Sequence, residues 1–212
     1  MVSNHDALSR TRGALERNQF KVLVASSKKD AVDKVLGLIS VDAKVGVGGS
    51  MTIRELGLID ALTRRGNRVV HHWQPDMPVS DWLPFMVEAH NSDVFLCSSN
   101  AVTEDGKLVN IDSTGNRVAS MIFGPKKVIV VAGKNKIVKD VDEGLKRLKR
   151  VAAPLNAKRH NIKELPCVTT GVCVDCDSPK RICRVVTIME RAPDRVREPD
   201  ITVLLVAVEL GS

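Results

Sequence analysis

The stretch KKVIVVAG, residues 126–133, decides the fold class that this sequence predicts. Residues 128–132 are apolar without interruption and rich in β-branched side chains, which favours a strand buried on both faces. The segment 137–156 follows it and places apolar residues along one side of a helix: Ile137, Val141, Leu145, Leu148 and Ala152. A buried strand followed by an amphipathic helix is typical of α/β proteins with a parallel sheet.

The same alternation occurs throughout the region upstream of residue 126. Helices are expected at 6–20, 27–39 and 51–66, and strands at 21–26, 43–47, 67–73 and 93–99. Gly66 is a typical stop for the helix predicted at 51–66. Ser27 or Ser26 fits the N-cap of the helix predicted at 27–39. We therefore expect an α/β fold of three layers, with a mostly parallel sheet between two layers of helices.

The C-terminal part of the chain differs in pattern from the rest. Residues 184–210 resemble a hairpin of two long strands joined by a proline-containing connection, which would add an antiparallel edge. We divide the chain into an α/β core at 1–165, a cysteine-rich loop at 166–184 and a terminal hairpin at 185–212 that completes the same domain. No internal repeat or low-complexity linker interrupts it.

Composition excludes several classes of function. Of the 212 residues, 43% are hydrophobic and 27% charged, and no apolar run is long enough to cross a membrane. The polar N-terminus lacks the apolar core of a secretory signal, so we expect a cytoplasmic protein without membrane insertion. The net charge is +7, but the basic residues are scattered, aromatic residues make up only 3%, and Tyr is absent. Nucleic-acid binding is therefore not expected, whereas anionic small molecules are favoured.

A glycine-rich turn, VGVGGSMTIRELG at 45–57, joins a predicted strand to a predicted helix. Backbone N–H groups at such a turn favour anions. The turn lacks the third glycine of the dinucleotide fingerprint and the Gly-Lys-Ser/Thr of a P-loop. It is either a tight turn that needs only small residues or a ligand loop formed by Gly48, Gly49, Ser50 and Thr52.

A polar, turn-rich span follows the strand predicted at 93–99. Residues 98–119 contain several side chains suited to ligand binding: Asn100, Asn110, Asp112, Asn116 and Arg117. They could also serve only to hydrogen-bond the turns. Glu104 is the candidate catalytic residue, as an acid/base or nucleophile, and Arg117 could clamp a carboxylate or phosphate. His71 and His72 point to opposite faces of a strand and are not expected to be catalytic.

The cysteine loop, PCVTTGVCVDCDSPKRICR at 166–184, contains Cys167, Cys173, Cys176 and Cys183. Its Cys-x2-Cys pair can give two thiolates to one metal, whereas a structural zinc site usually needs two such pairs. Four closely spaced cysteines also suit a 4Fe–4S cluster, although the common ferredoxin spacing is absent. An iron–sulfur cluster, zinc, redox-active thiols and a metal-free loop all remain open. Cys97 lies in a predicted buried strand and is expected to be part of the core.

The chain resembles the LUD-domain family, named for lactate utilisation, and is most similar to its stand-alone branch. The resemblance extends from RTRGALERNQF at 10–20 to LLVAVELG at 204–211. It includes SSNAVTEDG and GPKKVIVVAGKNKIV, and the loop TGVCVDCDSPKRICR at 170–184 is typical of this branch. The resemblance implies a fold like that of NagB, ribose-5-phosphate isomerase and the CoA transferases. It also implies a ligand site near Gly48–Ser50 and the segment from Glu104 to Arg117.

The family resemblance also implies a role in the oxidation of L-lactate to pyruvate, together with iron–sulfur partner proteins. No flavin or nicotinamide motif is present in this sequence. We therefore expect a component of a redox system that binds a small carboxylate or a phosphorylated metabolite, with a 4Fe–4S cluster or zinc in the cysteine loop.

Two other functions and the oligomeric state stay open on the sequence alone. The first is a CoA-transferase-like or isomerase-like enzyme that uses Glu104 and holds structural zinc. The second is a non-catalytic sensor or scaffold. Self-association is a further possibility, because the long terminal strands would form a free sheet edge.

Overall fold

The computed structural model describes residues 4–74, 77–194 and 200–211, and its strands form two sheets. The strands are β1 Lys21–Ala25, β2 Val45–Val47, β3 Val69–Val70, β4 Val94–Cys97, β5 Ala101–Thr103, β6 Leu108–Asp112, β7 Lys127–Gly133, β8 Ile137–Val138, β9 Val185–Met189 and β10 Ile201–Val206. The larger sheet has the order β1-β10-β7-β4-β2-β3 and is parallel throughout. The smaller, mixed sheet has the order β8-β5-β6-β9.

The described helices pack on both faces of the larger sheet, on the smaller sheet and on one another. They are α1 Asn4–Arg17, α2 Lys28–Leu38, α3 Met51–Glu55, α4 Leu58–Arg65, α5 Trp82–His90, α6 Asn116–Ile122, α7 Val141–Arg147, α8 Ala153–Arg159 and α9 Pro166–Thr170. A π-helical segment, Leu148–Ala152, joins α7 to α8, so residues 141–159 are helical without a break. The predicted helix at 51–66 is instead divided at Gly57, whose left-handed backbone (φ 64°) separates α3 from α4.

Alternate side chains of β7 explain why the sheet is buried on both faces. Val128 and Val130 belong to one hydrophobic core, which also contains residues of α1, α5, α6 and the smaller sheet. Ile129 and Val131 belong to a second core on the opposite face, which contains residues of α2, α3 and α4. The predicted three-layer α/β fold with a mostly parallel sheet is therefore confirmed.

The C-terminal segment departs from the predicted hairpin. The antiparallel strand is present, because β9 pairs antiparallel with β6, but β10 is inserted between β1 and β7 and is parallel to both. The two strands lie in different sheets and do not pair with each other. Burial gives the reason: every residue of β10 is buried, whereas β9 is largely exposed, as suits an edge strand. Part of the predicted connection, 195–199, lies outside the described residues.

Candidate functional site

A cavity of about 470 Å³, here called the main cavity, lies where loops leave the carboxyl ends of several parallel strands. Open α/β sheets bind their ligands in this position. The loop after β2, the loop after β4 and the turn after β7 all contribute residues to its lining, together with α5, α6 and α8. Apolar side chains form part of the wall, namely Met51, Val79, Leu83, Met86, Ile111, Leu155, Ile162 and Ile182.

Most of the predicted ligand-binding residues meet at this cavity. Six of them line it: Gly49, Ser50, Asn100, Asp112, Asn116 and Arg117. Gly48, Thr52 and Asn110 do not line it but support residues that do. Thr52 accepts a hydrogen bond from Lys136, Asn110 accepts one from Arg117, and a Cβ atom on Gly48 would lie 3.3 Å from Arg117 Cγ. The sequence segments 48–52 and 100–117 therefore form neighbouring parts of one site.

The Ser50 side chain caps a short helix. Its Oγ accepts a hydrogen bond from the backbone N–H of Ile53 at 3.3 Å, which fixes the first turn of α3. This contact explains locally why the glycine turn is followed by a serine.

Glu104 lies elsewhere. It is not among the residues that line the main cavity, and its Oε2 accepts hydrogen bonds from Arg10 Nε and Nη2 at 2.9 and 2.7 Å. The surroundings of Glu104 thus consist of an ion pair with α1, separate from the convergent polar groups of the cavity.

Arg117 is occupied by protein acceptors. Its Nε donates to Asp112 Oδ1 at 2.9 Å, Nη1 donates to the Ser98 carbonyl at 2.8 Å, and Nη2 donates to Asn100 Oδ1 at 2.7 Å. Nη1 also donates to Asn110 Oδ1 at 3.0 Å. All three guanidinium nitrogens have partners, so Arg117 joins the loop after β4 to the end of β6. Its guanidinium therefore connects parts of the protein and is not free to bind a ligand carboxylate or phosphate in a bidentate manner.

Lys136 brings a buried amine to the wall of the main cavity. It is 3% exposed and directly precedes β8. Its Nζ lies 2.8 Å from Thr52 Oγ1 and 3.0 Å from Ser98 Oγ. Burial, together with the smaller effect of the nearby cations Arg147 and Arg117, lowers the pKa of Lys136 to about 7.

A second part of the cavity wall consists of the aromatic rings of Trp82, His72 and His160 and the guanidinium group of Arg159. The Trp82 ring lies 4.8 Å from the His72 ring and 5.9 Å from the His160 ring, measured between centroids. Burial, with a smaller effect of His71, lowers the pKa of His72 to about 4, so its ring is neutral at pH 7. Burial likewise lowers the pKa of His160, with a smaller contribution from Arg159.

Two buried polar atoms of this wall lack a partner within the described ranges: Trp82 Nε1 and Arg159 Nη1. Arg159 also donates through Nη2 to Asn156 Oδ1 at 2.5 Å, which orients the guanidinium in the cavity wall. A buried donor without an acceptor is costly, and a ligand or water would remove that cost.

Sequence reasoning did not select Lys136, Trp82, Asn156, Arg159 or His160. Lys136 could have been found, because it follows the end of the best-predicted strand, where parallel sheets bind ligands. Arg159 ends an amphipathic helix rich in Lys and Arg and His160 follows it, and no spacing distinguishes the arginine of this helix that lines the main cavity.

All four cysteines of the loop line a second, smaller cavity of about 20 Å³, here called the thiol cavity. It is lined by Cys167, Cys173, Cys176 and Cys183, together with Ala153, Pro154, Leu165, Val174, Arg181 and Ile182. Arg181 holds the loop together, because its Nη1 donates to the Cys176 carbonyl at 2.9 Å and its Nε donates to the Cys183 carbonyl at 3.0 Å. Burial raises the pKa of the Cys167 thiol, and the other three thiols raise it further.

The main cavity and the thiol cavity share a wall. Ala153, Ile182 and Cys183 line both. A group bound among the thiols would therefore lie one side chain away from a ligand in the main cavity. Cys97, in contrast, is fully buried in β4, and burial raises the pKa of its thiol to about 12, in keeping with its predicted place in the core.

The donor set of the thiol cavity fits a thiolate-bound metal in kind, since four sulfurs surround one space and Arg181 supplies positive charge. Across 4–74, 77–194 and 200–211, no three His, Cys, Asp or Glu side chains are close enough together to hold an ion. A metal would have to draw the thiols inward.

A family model and a solved structure match this chain. The model of the LUD domain family matches residues 8–206. The crystal structure of a DUF162 family protein from Deinococcus radiodurans at 1.70 Å resolution matches with a TM-score of 0.55 at 13% identity, over 98% of this chain and 99% of that chain. At this identity the likeness concerns the fold alone. Among curated proteins, no significant match was found.

Proposed function

This chain belongs to the LUD domain family, and we propose that it is the component of a redox system that binds a small anionic metabolite. The ligand is a carboxylate or a phosphorylated compound in the main cavity, and a metal centre among the four loop cysteines lies beside it. The observation that carries this proposal is the shared wall, because Cys183 belongs to both cavities.

The chemistry of the main cavity supports an anionic ligand. Its volume, about 470 Å³, is within the usual range for small-molecule sites. Arg159 Nη1 is a buried N–H donor that lacks an acceptor in the part of the chain that the structure describes, and Asn100, Asn116 and Asn156 add amide groups to the lining. Arg guanidinium groups bind carboxylate and phosphate well, because several N–H donors match several oxygens.

The cysteine loop supports the redox part of the proposal. Cys167, Cys173, Cys176 and Cys183 would hold the group, and an iron–sulfur cluster would supply one-electron transfer there. Zinc is the alternative occupant, and it would stabilise the loop without electron transfer. Two other side chains of the thiol cavity would assist. Arg181 would offset the negative charge of the thiolates, and Ile182, which lines both cavities, would lie between the metal and the ligand.

The family association suggests which metabolite to examine first. Lactate and pyruvate are small carboxylates, and the exchange of electrons with iron–sulfur partner proteins would complete an oxidation. The proposal assigns no catalytic role to Glu104, since its carboxylate pairs with Arg10 outside the lining of the cavity.

Calorimetric titration with oxalate tests the anion site. Oxalate is a dicarboxylate without a reactive carbonyl, and we expect it to bind wild type and to bind Arg159→Gln about tenfold more weakly or worse. Arg150→Gln is the matched control, because Arg150 is an exposed arginine on the same continuous helix. Equal binding to both variants, or no binding to wild type, would overturn the anion site.

Metal and acid-labile sulfide analysis of anaerobically purified protein tests the cysteine centre. We expect iron and sulfide in wild type, their loss in Cys176→Ser and their retention in Cys97→Ala, since Cys97 lies in the core. Zinc at about one per chain without sulfide would replace the redox function by a structural one. A metal-free protein would show that the loop cysteines do not form a metal centre.

A further inference from the structure

Lys136 is a buried lysine that has no counter-ion among the described residues. Its side chain lines the main cavity and is 3% exposed, yet within the described part of the chain no carboxylate forms an ion pair with it. Glu55 is the carboxylate that acts on its charge, and it accepts hydrogen bonds from Lys28 Nζ at 2.6 Å and from the backbone N–H of Gly211 at 2.7 Å. Burying an unpaired ammonium is expensive, so this position favours the neutral amine.

The contacts of Nζ also suit a neutral amine. A neutral amine has two N–H bonds and one lone pair, whereas an ammonium has three N–H bonds and no lone pair. The two described acceptors are the hydroxyl oxygens of Thr52, at 2.8 Å, and Ser98, at 3.0 Å. Two acceptors satisfy the two N–H bonds and leave the lone pair free on a residue that lines the cavity.

Two buried cations near Lys136 act in the same direction. Arg117 donates hydrogen bonds to five acceptor atoms of the protein. Arg147 donates to the carbonyls of Asn135 and Asn100 at 3.2 and 2.7 Å. Both guanidinium groups remain charged and repel a third positive charge. A lysine that is desolvated and placed beside another cation is a nucleophile at neutral pH, because its lone pair is not protonated.

We infer that Lys136 is a nucleophilic amine that forms an imine with the carbonyl group of an anionic ligand in the main cavity. This inference rests on the proposed function, because the anionic group of the same ligand is held at Arg159. The substrate class is thereby narrowed to small aldehydes and ketones that carry a carboxylate or phosphate, such as 2-oxo acids.

The step is balanced without an oxidant or a cofactor. The Nζ lone pair attacks the carbonyl carbon and forms a C–N bond, giving a carbinolamine. The carbonyl oxygen then leaves as water and takes both protons of the amine, and a C=N bond remains. The hydroxyls of Thr52 and Ser98 touch Nζ and can carry these protons from nitrogen to oxygen.

Reductive trapping with glyoxylate and cyanoborohydride tests the inference. Glyoxylate carries an aldehyde and a carboxylate, and reduction of its imine leaves a carboxymethyl group on the lysine. We expect peptide mapping of the wild-type chain at pH 7 to find this group at Lys136 at least about tenfold faster than at exposed lysines such as Lys139. Labelling of Lys136 no faster than Lys139 would overturn the inference.

Two variants and one competitor separate the possible outcomes. Lys136→Met should lose the fast label, whereas Lys139→Met should keep it, and circular dichroism checks that both are folded. Oxalate should slow the labelling of wild type by occupying the anion site. If oxalate binds in calorimetry and Lys136 is not labelled, the imine is wrong and the anion site stands. If Lys136 is labelled but oxalate neither binds nor slows the reaction, the proposed anion site is wrong.

Discussion

At the scale of single residues, Arg117 and Asp112 form the most consequential ion pair of the site. Both side chains are nearly buried, at 9% and 7% exposure, and Asp112 Oδ2 also accepts the backbone N–H of Val118 at 3.1 Å. Removing one partner of a buried pair leaves the other charge without compensation. The pair therefore stabilises the loops that carry the ligand-binding residues.

Replacing Arg117 should lower the stability of the folded protein. We expect Arg117→Met to lower the free energy of unfolding by about 3–5 kcal/mol, because Asp112 and the Ser98 carbonyl lose their donors. Urea denaturation measures the change. The control is Lys29→Met, since the Lys29–Asp33 pair lies on the surface at 87% and 57% exposure and should contribute nothing measurable. Equal midpoints for wild type and Arg117→Met would contradict this account.

Lys136 predicts a pH dependence of stability with a definite sign. Its pKa is about 7 in the folded chain and 10.5 as a free side chain, so between these values the unfolded chain binds one more proton. Stability due to this residue therefore rises as pH increases from about 7 to 10.5 and is lost as pH falls.

The measurement compares wild type with Lys136→Met across that range, so that other titrating groups cancel. Between pH 7 and pH 10, the free energy of unfolding of wild type should rise relative to that of Lys136→Met by more than about 1 kcal/mol. Two parallel curves would mean that Lys136 has an ordinary pKa in the folded chain.

The sequence anticipated the site residues near β4 and β6 better than those of helices α5 and α8. Asn100 follows β4, Asp112 ends β6 and Asn116 lies shortly after it, and all three line the main cavity, as the position of strand ends in a parallel sheet led us to expect. The same rule placed Glu104 near them, but β5 and β6 form a separate small sheet that turns Glu104 towards Arg10 of α1. The inward turn of Arg159 depends on tertiary packing, which local spacing does not reveal.

At the scale of elements, Gly46 sets how closely α5 approaches β2. A Cβ atom on Gly46 would lie 2.2 Å from the carbonyl oxygen of Ala89, which is backbone and has no room to move aside. Helix α5 supplies Trp82, Leu83 and Met86 to the main cavity, so this contact positions one wall of the site.

Substituting Gly46 should therefore disturb both the packing and the site. We expect Gly46→Ala to cost about 1–3 kcal/mol of stability as α5 is displaced, and to weaken oxalate binding. Gly37 is the matched control, because it is exposed in helix α2 and no atom lies within 4 Å of its Cβ position. Gly37→Ala should stabilise the chain by about 0.5–1 kcal/mol. Thermal denaturation that ranked the two variants in the opposite order would contradict this.

The last two strands show what an apolar pattern can and cannot specify. The pattern of ITVLLV correctly predicted a strand, and its lack of polar alternation indicated burial on both faces. Pairing it with residues 185–189 followed from closeness in sequence alone. The position of β10 between β1 and β7 is set by distant partners, which a local pattern does not encode.

The two strands should differ in their sensitivity to truncation of side chains. Leu204 of β10 is fully buried, so Leu204→Ala should cost about 2–5 kcal/mol. Ile188 of β9 is 42% exposed, so Ile188→Ala should cost less than about 1 kcal/mol. Urea denaturation of both variants decides the matter, and similar costs would indicate that β10 is not a central strand.

At the scale of the whole molecule, the topology brings three distant parts of the sequence to one place. The loops after β2 and β4 form one side of the main cavity, α8 forms another, and the cysteine loop closes the wall that both cavities share. No helix of the described residues is long and apolar enough to cross a membrane. We propose that an anionic ligand and an iron–sulfur cluster occupy the two adjoining cavities and together form one site.

The most direct test is the visible absorption spectrum of anaerobically prepared protein, recorded before and after addition of oxalate. We predict thiolate-to-iron charge-transfer bands that shift when oxalate binds, because Ala153, Ile182 and Cys183 line both cavities. Arg159→Gln should retain the bands and lose the shift. A colourless protein, or bands that oxalate leaves unchanged while calorimetry records its binding, would contradict the claim of a single site.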